Sequence, residues 1–334
     1  MEELNLNRSA ACRDQLYRAG IAEALVRPGV SDVAVNQPGG LWIEDRDGWH
    51  FEENPRLNYQ LCVELAKAIA FHCNRDINDQ EPIKSVTLPD GQRGQLVLPP
   101  CAEDRTVAMS FRAPSTQRFT LDDYAATGRF SNLLDAAPTW TLLDWQLELK
   151  QRLKHGQIKA FFELAVEKKL NISLAGGTGS GKTTLSKSII DLFPNNRRLI
   201  TIEEVHELDL PYHPNHVHLL YGDVVRPKEV IASCMRMKPD HIFLAELTGD
   251  EAWSYLEALN TGHAGSVTTL HANNAHECVA RYCSLIKQSP VGQHLDYDFI
   301  ERKIRTSVDV IVYCERSYVK SIRYEPEEKM ELLK

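Results

Sequence analysis

A glycine-rich turn in front of one lysine is the segment of this chain best suited to chemistry. The sequence GGTGSGKTT fits the pattern G-x-x-x-x-G-K-[ST] at every fixed position. Backbone amides of such a turn bind phosphates, the lysine reaches the β- and γ-phosphates, and the hydroxyl binds Mg²⁺. The predicted nucleotide contacts are Gly176, Gly177, Thr178, Gly179, Ser180, Gly181, Lys182, Thr183 and Thr184. Lys182 is the predicted catalytic cation and Thr183 a predicted Mg²⁺ ligand.

Carboxylates follow two apolar runs further along the chain. The segment LITIEEVHEL places Glu203 at the end of one predicted strand, with Glu207 just beyond it, and HIFLAEL places Glu246 at the end of another. Ligands of open α/β sheets bind beyond the carboxyl ends of the strands, so we expect these carboxylates to face the phosphate-binding turn. One of them could hold Mg²⁺ and another could orient the attacking water.

Two histidines flank the last glycine-bearing turn, TGHAGSVTTLHANN. His263 and His271 could hydrogen-bond a phosphate oxygen or a catalytic glutamate, and a purely structural role is the alternative. As a zinc pair they lack cysteine or carboxylate partners at metal-binding spacing. The eight cysteines include no C-x-x-C pair, so we expect reduced thiols rather than a structural zinc site.

The elements that position these residues alternate between strand and helix from residue 157 onward. Short apolar runs at 172–175, 199–202, 241–247, 266–270 and 308–314 predict a mostly parallel sheet covered by helices. Residues 1–112 contain a hairpin signal at 33–44, a helical pattern at 57–74 and two later strands, which indicate an α+β domain. Residues 113–156 read as a linker with its own helix. The predicted fold is therefore α/β, with domains at 1–112 and 157–334.

The charge and apolar content of the chain limit the kinds of partner that it is expected to bind. The 334-residue chain carries a net charge of −8 and has no Lys/Arg run longer than two, which argues against nucleic acid as the main partner. No apolar run approaches the ~18 residues of a membrane span, and the N-terminus lacks an apolar signal core. We expect a cytoplasmic protein.

Four motifs in order resemble those of one known family, the hexameric ATPases of bacterial type IV secretion systems. GGTGSGKTT resembles the Walker A motif, TIEEVHEL the Asp box, CMRMKPDHIFLAEL an arginine-bearing helix with Walker B, and TGHAGSVTTLHA the His box. The N-terminal segments VAVNQPGGLWIE, GQRGQLVLPP and SFRAPS also resemble the family, so the likeness covers most of the chain.

The resemblance implies a RecA-like C-terminal domain, an N-terminal domain that closes over the nucleotide, and a ring of six subunits. Hydrolysis of ATP, with Mg²⁺, would drive domain motion that powers pilus assembly or the transfer of protein or conjugative DNA. The implied partners are other type IV secretion components, with peripheral association at the inner membrane.

The resemblance also implies roles for single residues. Glu207 would orient the water, Glu246 would belong to the Mg²⁺ shell, and Glu203 is a further catalytic candidate. Arg112 would reach phosphate across the domain interface, with Arg93 and Arg129 as weaker candidates. Arg236 would face a phosphate or the neighbouring subunit. Each arginine could instead be a solvated surface charge.

Departures from the family pattern leave alternatives open. His241 and Thr248 stand where the family often has arginines, and Ala245 replaces a glycine. The loss of a cation at position 248 puts the activity or the ring contact in question.

The rival functions are a RecA-like nucleic-acid motor, a small-molecule phosphotransferase and a nucleotide-locked scaffold. The long linker would let the N-terminal domain pack over a neighbour's C-terminal domain.

Overall fold

Two separate sheets organise the chain. The computed structural model describes residues 2–114, 118–133 and 140–334, so part of the predicted linker lies outside the described residues. Within these residues no helix combines the length and apolarity needed to cross a bilayer.

The N-terminal sheet has six strands and is antiparallel throughout. Its elements are α1 (Glu2–Arg18), α2 (Ile21–Leu25), β1 (Asp32–Val35), β2 (Gly40–Asp45), β3 (Gly48–Glu53), α3 (Tyr59–His72), β4 (Ile83–Thr87), β5 (Arg93–Val97) and β6 (Ala108–Arg112). The strand order is β3-β2-β1-β6-β5-β4. The predicted hairpin is the β1–β2 pair, in which Ala34 lies opposite Trp42. Helix α3 begins where the Asn58 side chain accepts a hydrogen bond from the Leu61 amide. Its apolar face packs in one core with α1 and α2.

The C-terminal sheet has seven strands in the order β13-β12-β7-β11-β10-β8-β9. After α4 (Leu121–Ala126) and α5 (Asp144–Lys154) come α6 (Ile158–Glu167), β7 (Ile172–Ala175), α7 (Lys182–Ile190), β8 (Leu199–Glu203), β9 (His216–Leu220), α8 (Pro227–Cys234), β10 (His241–Leu244), α9 (Glu251–Leu259), β11 (Val267–Leu270), α10 (Ala275–Ile286), α11 (Pro290–Gln293), α12 (Tyr297–Ser307), β12 (Val310–Glu315), β13 (Tyr318–Tyr324) and α13 (Pro326–Leu333). Only β13, among these strands, runs antiparallel to its neighbour. The central strands are buried along their whole length, as a sheet covered on both faces requires.

Two predicted boundaries differ from those observed. The run 241–247 forms a strand only as far as Leu244, so Glu246 stands two residues beyond the strand, in the loop before α9. The pattern after the glycine-rich turn predicts a helix from Thr184 to Leu192, but the observed helix begins at Lys182, because Gly181 takes the left-handed N-cap position. Lys182 therefore belongs to the first turn of α7.

The N-terminal region packs against the end of the seven-stranded sheet where its parallel strands begin. Arg198, just before β8, is fully buried and donates to Asn36 Oδ1 (2.8 Å), Asn215 Oδ1 (2.7 Å) and Ser110 Oγ (3.2 Å). Nearby, Lys238 pairs with Asp32 at 2.8 Å. A further contact lies at the other end of the edge strand β9, where the amide of its last residue, Leu220, donates to the carbonyl of Cys101 at 2.7 Å. The phosphate-binding turn follows β7 at the opposite end of the sheet.

Candidate functional site

The turn between β7 and α7 needs glycine at two positions. Gly176 has φ of 157°, and a Cβ there would lie 2.3 Å from the carbonyl oxygen of Cys314 and 2.6 Å from Ser180 Oγ. Gly181 has φ of 88°, in the left-handed region that side chains disfavour. The backbone therefore curls tightly ahead of the N-terminus of α7, where free amides and the helix dipole favour an anion. Gly177, Thr178 and Gly179 are exposed at this turn.

The ammonium group of Lys182 lies within the same turn. It donates to the carbonyl oxygens of Gly176 (2.8 Å) and Gly177 (2.9 Å). The residue is 8% exposed, and burial lowers the pKa of its ammonium group while Glu246 opposes that shift. A cation with only two neutral carbonyl partners can exchange them for a more strongly charged oxygen, which suits a phosphate ligand.

Glu246 and His271 follow the ends of β10 and β11, the next two strands on one side of β7. His271 Nδ1 is 3.1 Å from the Gly176 carbonyl oxygen, and its Nε2 is 2.7 Å from Glu246 Oε1. The side chains of His271 and Glu246 are 46% and 36% exposed, so a ligand can reach both. Lys182 and His271 thus meet at the Gly176 carbonyl oxygen, and Glu246 joins them through His271, although each comes from a different βα connection.

Glu203, the last residue of β8, is fully buried and held on both oxygens. Its Oε2 accepts from the amides of Glu207 and Leu208, each at 2.8 Å, and its Oε1 accepts from Thr201 Oγ1 at 2.7 Å. Burial opposes ionisation, but hydrogen bonds from His218, the two amides and Thr201 outweigh it and lower the pKa of Glu203 to about 2. The exposed carboxylate of Glu207 is carried by the loop that Glu203 fixes.

Thr248 is exposed in the loop after Glu246, where the family often has an arginine. Its amide and that of Gly249 donate to Glu251 Oε1, at 2.7 and 2.9 Å. Glu251 is buried at the start of α9 and closes this loop from within. Two backbone amides therefore hold this loop, and the Thr248 hydroxyl adds a longer contact of 3.5 Å to the same oxygen.

Several predicted site residues lie away from the turn of their own chain. His263 precedes β11, at the end of the sheet opposite the turn, and its Nδ1 is 3.1 Å from the carbonyl oxygen of Pro239. His263 and His271 therefore lie at opposite ends of β11, and a contact between His263 and a phosphate stays a prediction. Arg129 lies in the linker, where its guanidinium stacks 4.3 Å above the Phe119 ring.

Three of the predicted arginines share a basic cleft instead. Arg93, Arg112 and Arg236 line a cavity of about 730 Å³ between the N-terminal sheet and the segment after α8. Arg112 donates to Asp32 Oδ1 at 3.0 Å, and more than half of its side chain is exposed. Arg75 also lines the cleft and escaped the sequence analysis, because nothing in its neighbourhood distinguishes it from a surface arginine.

Comparison with known proteins identifies the family. Residues 144–317 match the family model described as "Type II/IV secretion system protein". The type IV secretion system protein VirB11 of Brucella suis is 36% identical over 320 residues, which cover 91% of this chain and 88% of that protein. PtlH of Bordetella pertussis is 36% identical over 307 residues, covering 87% of each.

A solved structure agrees with these relatives. The crystal structure of the VirB11 ATPase from the Brucella suis type IV secretion system, in complex with sulphate, matches with a TM-score of 0.94 and 36% identity over 99% of both chains. The predicted fold class and ATPase activity are thereby confirmed, and the nucleic-acid motor is not favoured. The chain belongs to the VirB11 family of type IV secretion ATPases.

Proposed function

We propose that the chain forms a homohexameric ring in which Mg²⁺-dependent ATP hydrolysis drives movement of the N-terminal domain. The observation that carries this proposal is a set of linked contacts at the turn: Lys182 and His271 both reach the carbonyl oxygen of Gly176, and His271 also reaches the Glu246 carboxylate. These groups and the free amides of the turn would surround a triphosphate with donors and one cation on one side and a carboxylate on the other. That is the distribution that phosphoryl transfer requires.

The residues beside the turn fit a magnesium ion. Thr183 offers a half-buried hydroxyl at the start of α7, and Glu246 offers an accessible carboxylate, so both are hard oxygen donors of the kind Mg²⁺ prefers. When bound, the ion would neutralise charge on the β- and γ-phosphates. The protein's own part is that Lys182 exchanges its backbone carbonyls for a γ-phosphate oxygen, and His271 reports that exchange to Glu246.

Glu207 is the proposed water-orienting base, and Glu203 its positioning residue. Glu203 has no free oxygen for a nucleotide, since three hydrogen bonds engage both of its oxygens. Its bond to the Glu207 amide instead fixes the exposed loop from which the Glu207 carboxylate can move toward the γ-phosphate. The exposed Glu207 would thus take part in the reaction, and the buried Glu203 would hold it in position.

The arginines of the N-terminal domain are proposed to act on the neighbouring subunit. Within one chain the N-terminal region is anchored through Arg198 and Lys238 to the end of the sheet that lies opposite the phosphate-binding turn. Arg112 and Arg93 would therefore reach the γ-phosphate of an adjacent copy, as the long linker suggests, and Arg236 of the C-terminal domain would join them from the same cleft. Hydrolysis would release that contact and let the domains move.

The proposed domain limits are 1–112, 113–156 and 157–334. They are supported by the end of β6 at Arg112 and the start of α6 at Ile158. The proposed partners are other type IV secretion components, because the VirB11 and PtlH relatives are named as such. The proposed location is the cytoplasmic side of the inner membrane, where movement of the ring would power pilus assembly or substrate transfer.

Two measurements on the purified chain test the proposal. Phosphate release from ATP should continue over many turnovers, should need Mg²⁺, and should stop when EDTA is added. Sizing by light scattering should give a mass near six subunits in ATP and Mg²⁺. A monomer with full turnover would refute the ring and the trans arginine, and a ring without turnover would refute the catalytic assignments.

A further inference from the structure

Two histidines meet the buried carboxylate of Glu203 beneath the loop that carries Glu207. His206 Nδ1 is 3.4 Å and His218 Nδ1 is 3.7 Å from Glu203 Oε1. The two imidazole rings lie with their centroids 4.2 Å apart. One donor atom from each of the three residues falls within 4.8 Å of the others. The parallel pairing of β8 with β9 creates this cluster, because it sets His218 opposite Thr201, two residues before Glu203.

The carboxylate at the centre lacks a cationic partner. Glu203 has no exposed surface and is ionised, yet in the described part of the chain no lysine or arginine pairs with it. A buried charge is costly unless it is compensated, and backbone amides and a hydroxyl supply only partial charges. The cluster therefore favours an added positive charge between the carboxylate and the two rings.

The donor atoms are oriented as metal ligands are. His206 Nδ1 is buried without a hydrogen-bond partner, although its Nε2 lies 3.5 Å from the Asp209 carboxylate. Histidine ligands of metals usually present one nitrogen to the ion while the other faces a carboxylate or carbonyl. Glu203 shows a similar division, since amides hold Oε2, while Oε1 faces the rings and accepts from the Thr201 hydroxyl.

We propose that Glu203 Oε1, His206 Nδ1 and His218 Nδ1 form a binding site for a divalent transition-metal ion such as Zn²⁺ or Co²⁺. Two imidazoles and one carboxylate are a known three-residue ligand set for zinc, with water in the fourth position. Ligands about 2.0–2.1 Å from a tetrahedral ion lie about 3.3 Å apart. The two Nδ1 atoms lie 3.4 and 3.7 Å from Glu203 Oε1, close to that separation. This site differs from the Mg²⁺ site because magnesium prefers oxygen ligands alone.

Binding would replace a hydrogen bond that is already present. Thr201 Oγ1 lies 2.8 Å from His218 Nδ1 and 2.7 Å from Glu203 Oε1, and so bridges the two future ligands. The ion would take over this bridge and tie β8, β9 and the intervening loop together. Binding of the ion is independent of the proposed function. Only the further consequence, that the ion fixes the position of Glu207, rests on the proposed function.

The experiment uses the full chain, freed of metal with a chelator and kept without nucleotide. Titration with CoCl₂ should produce the intense visible absorption of four-coordinate Co²⁺ with one ion per chain, and ZnCl₂ should abolish it. His206→Gln and His218→Gln should each weaken Co²⁺ binding at least about tenfold, as loss of one ligand or its support does. The exposed His294→Gln is the matched control and should bind as the wild type does.

Several outcomes would overturn the proposal. These are the absence of a four-coordinate spectrum, binding that survives both ligand substitutions, or equal loss in the His294→Gln control. If His218→Gln fails to fold, His206→Gln decides alone, because His206 is partly exposed and its replacement should leave the fold intact. Since no nucleotide is present, failure here leaves the ATPase assignment standing, and failure of phosphate release leaves this site standing.

Discussion

Each end of the seven-stranded sheet holds a positively charged side chain, but the two side chains have different surroundings. At the carboxyl end, Lys182 rests on two backbone carbonyls, and Glu246 and His271 remain partly open to solvent. At the amino end, Arg198 is fully buried, and Asn36, Ser110, Asn215 and the Met237 carbonyl accept its hydrogen bonds. One cation is available to a ligand, and the other is enclosed by the fold.

This difference predicts which substitutions should lower activity and which should lower stability. A cation with weak, replaceable partners contributes little to folding but can bind a developing charge. A cation whose guanidinium nitrogens are all hydrogen-bonded contributes to folding, and its removal leaves buried acceptors without partners. Substitution of Lys182 at the carboxyl end should therefore lower activity without unfolding the protein, whereas substitution of Arg198 at the amino end should destabilise it.

The largest expected effect is the loss of hydrolysis in Lys182→Ala. Phosphate release should fall by at least about 10³-fold, because the only lysine of the turn stabilises the transferred phosphoryl group. The melting temperature should change by only a few degrees. Lys187→Ala, in the last turn of the same helix, is the control and should retain wild-type turnover. Unfolding of Lys182→Ala would instead make this residue structural.

The next largest effect is expected for Glu207→Gln. Turnover should fall by about 10²–10⁴-fold, the range expected for loss of a base, while nucleotide affinity changes little. Phosphate release and fluorescent-nucleotide binding measure the two quantities separately. Glu204→Gln, equally exposed and three residues earlier, should behave as the wild type. Parallel losses of binding and turnover would move the base elsewhere.

Arg198→Met probes the amino end of the sheet. We expect a loss of about 3 kcal/mol in the free energy of unfolding, since several buried acceptors lose their donor. Urea titration followed by circular dichroism measures it. The neighbouring Arg197→Met removes a partly exposed side chain 3.7 Å from Asp240 and should cost less than about 0.5 kcal/mol. Similar losses in the free energy of unfolding for the two variants would contradict the proposed role of the buried arginine.

His241 provides a smaller, pH-dependent test at the same end. Burial lowers the pKa of its imidazole to about 4, below the ordinary 6.5, and its ring packs 4.6 Å from that of Phe193. The unfolded chain then binds a proton that the folded chain refuses, so stability falls as the pH drops from 6.5 toward 4. Between pH 7 and pH 5 this loss should amount to about 2 kcal/mol.

His241→Gln should remove that part of the pH dependence, as measured by urea unfolding at the two pH values. Glutamine keeps a donor for the Ala264 carbonyl, 3.1 Å from His241 Nδ1, without the titration. An unchanged slope in this variant would mean that another group titrates over that range.

The sequence predicted the fold class and the glycine-rich turn well because both depend on local patterns. Apolar runs of four or five residues marked β7 and β8, and the pattern of fixed residues marked the turn. The phosphate-binding turn and the strand ends that flank it are therefore recoverable without coordinates.

What escaped prediction depends on contacts between distant segments. Arg198 looks like one of two adjacent surface arginines, and only the packing of β1 and β6 against it shows that it is buried. The pairing of His206 with His218 needs the register of β8 on β9, and β9 was not predicted. The displacement of His263 from the site likewise follows from the direction of β11, not from its motif.

The most direct test of the central claim mixes two inactive subunits. Lys182→Ala retains Arg112, and Arg112→Ala retains Lys182, so a mixed ring contains sites with an intact turn from one subunit and an intact arginine from its neighbour. We predict that phosphate release from co-assembled subunits rises well above the sum of the separate variants and peaks near equal amounts. Activity that never exceeds that sum, in rings shown to contain both variants, would contradict a site completed by the adjacent chain.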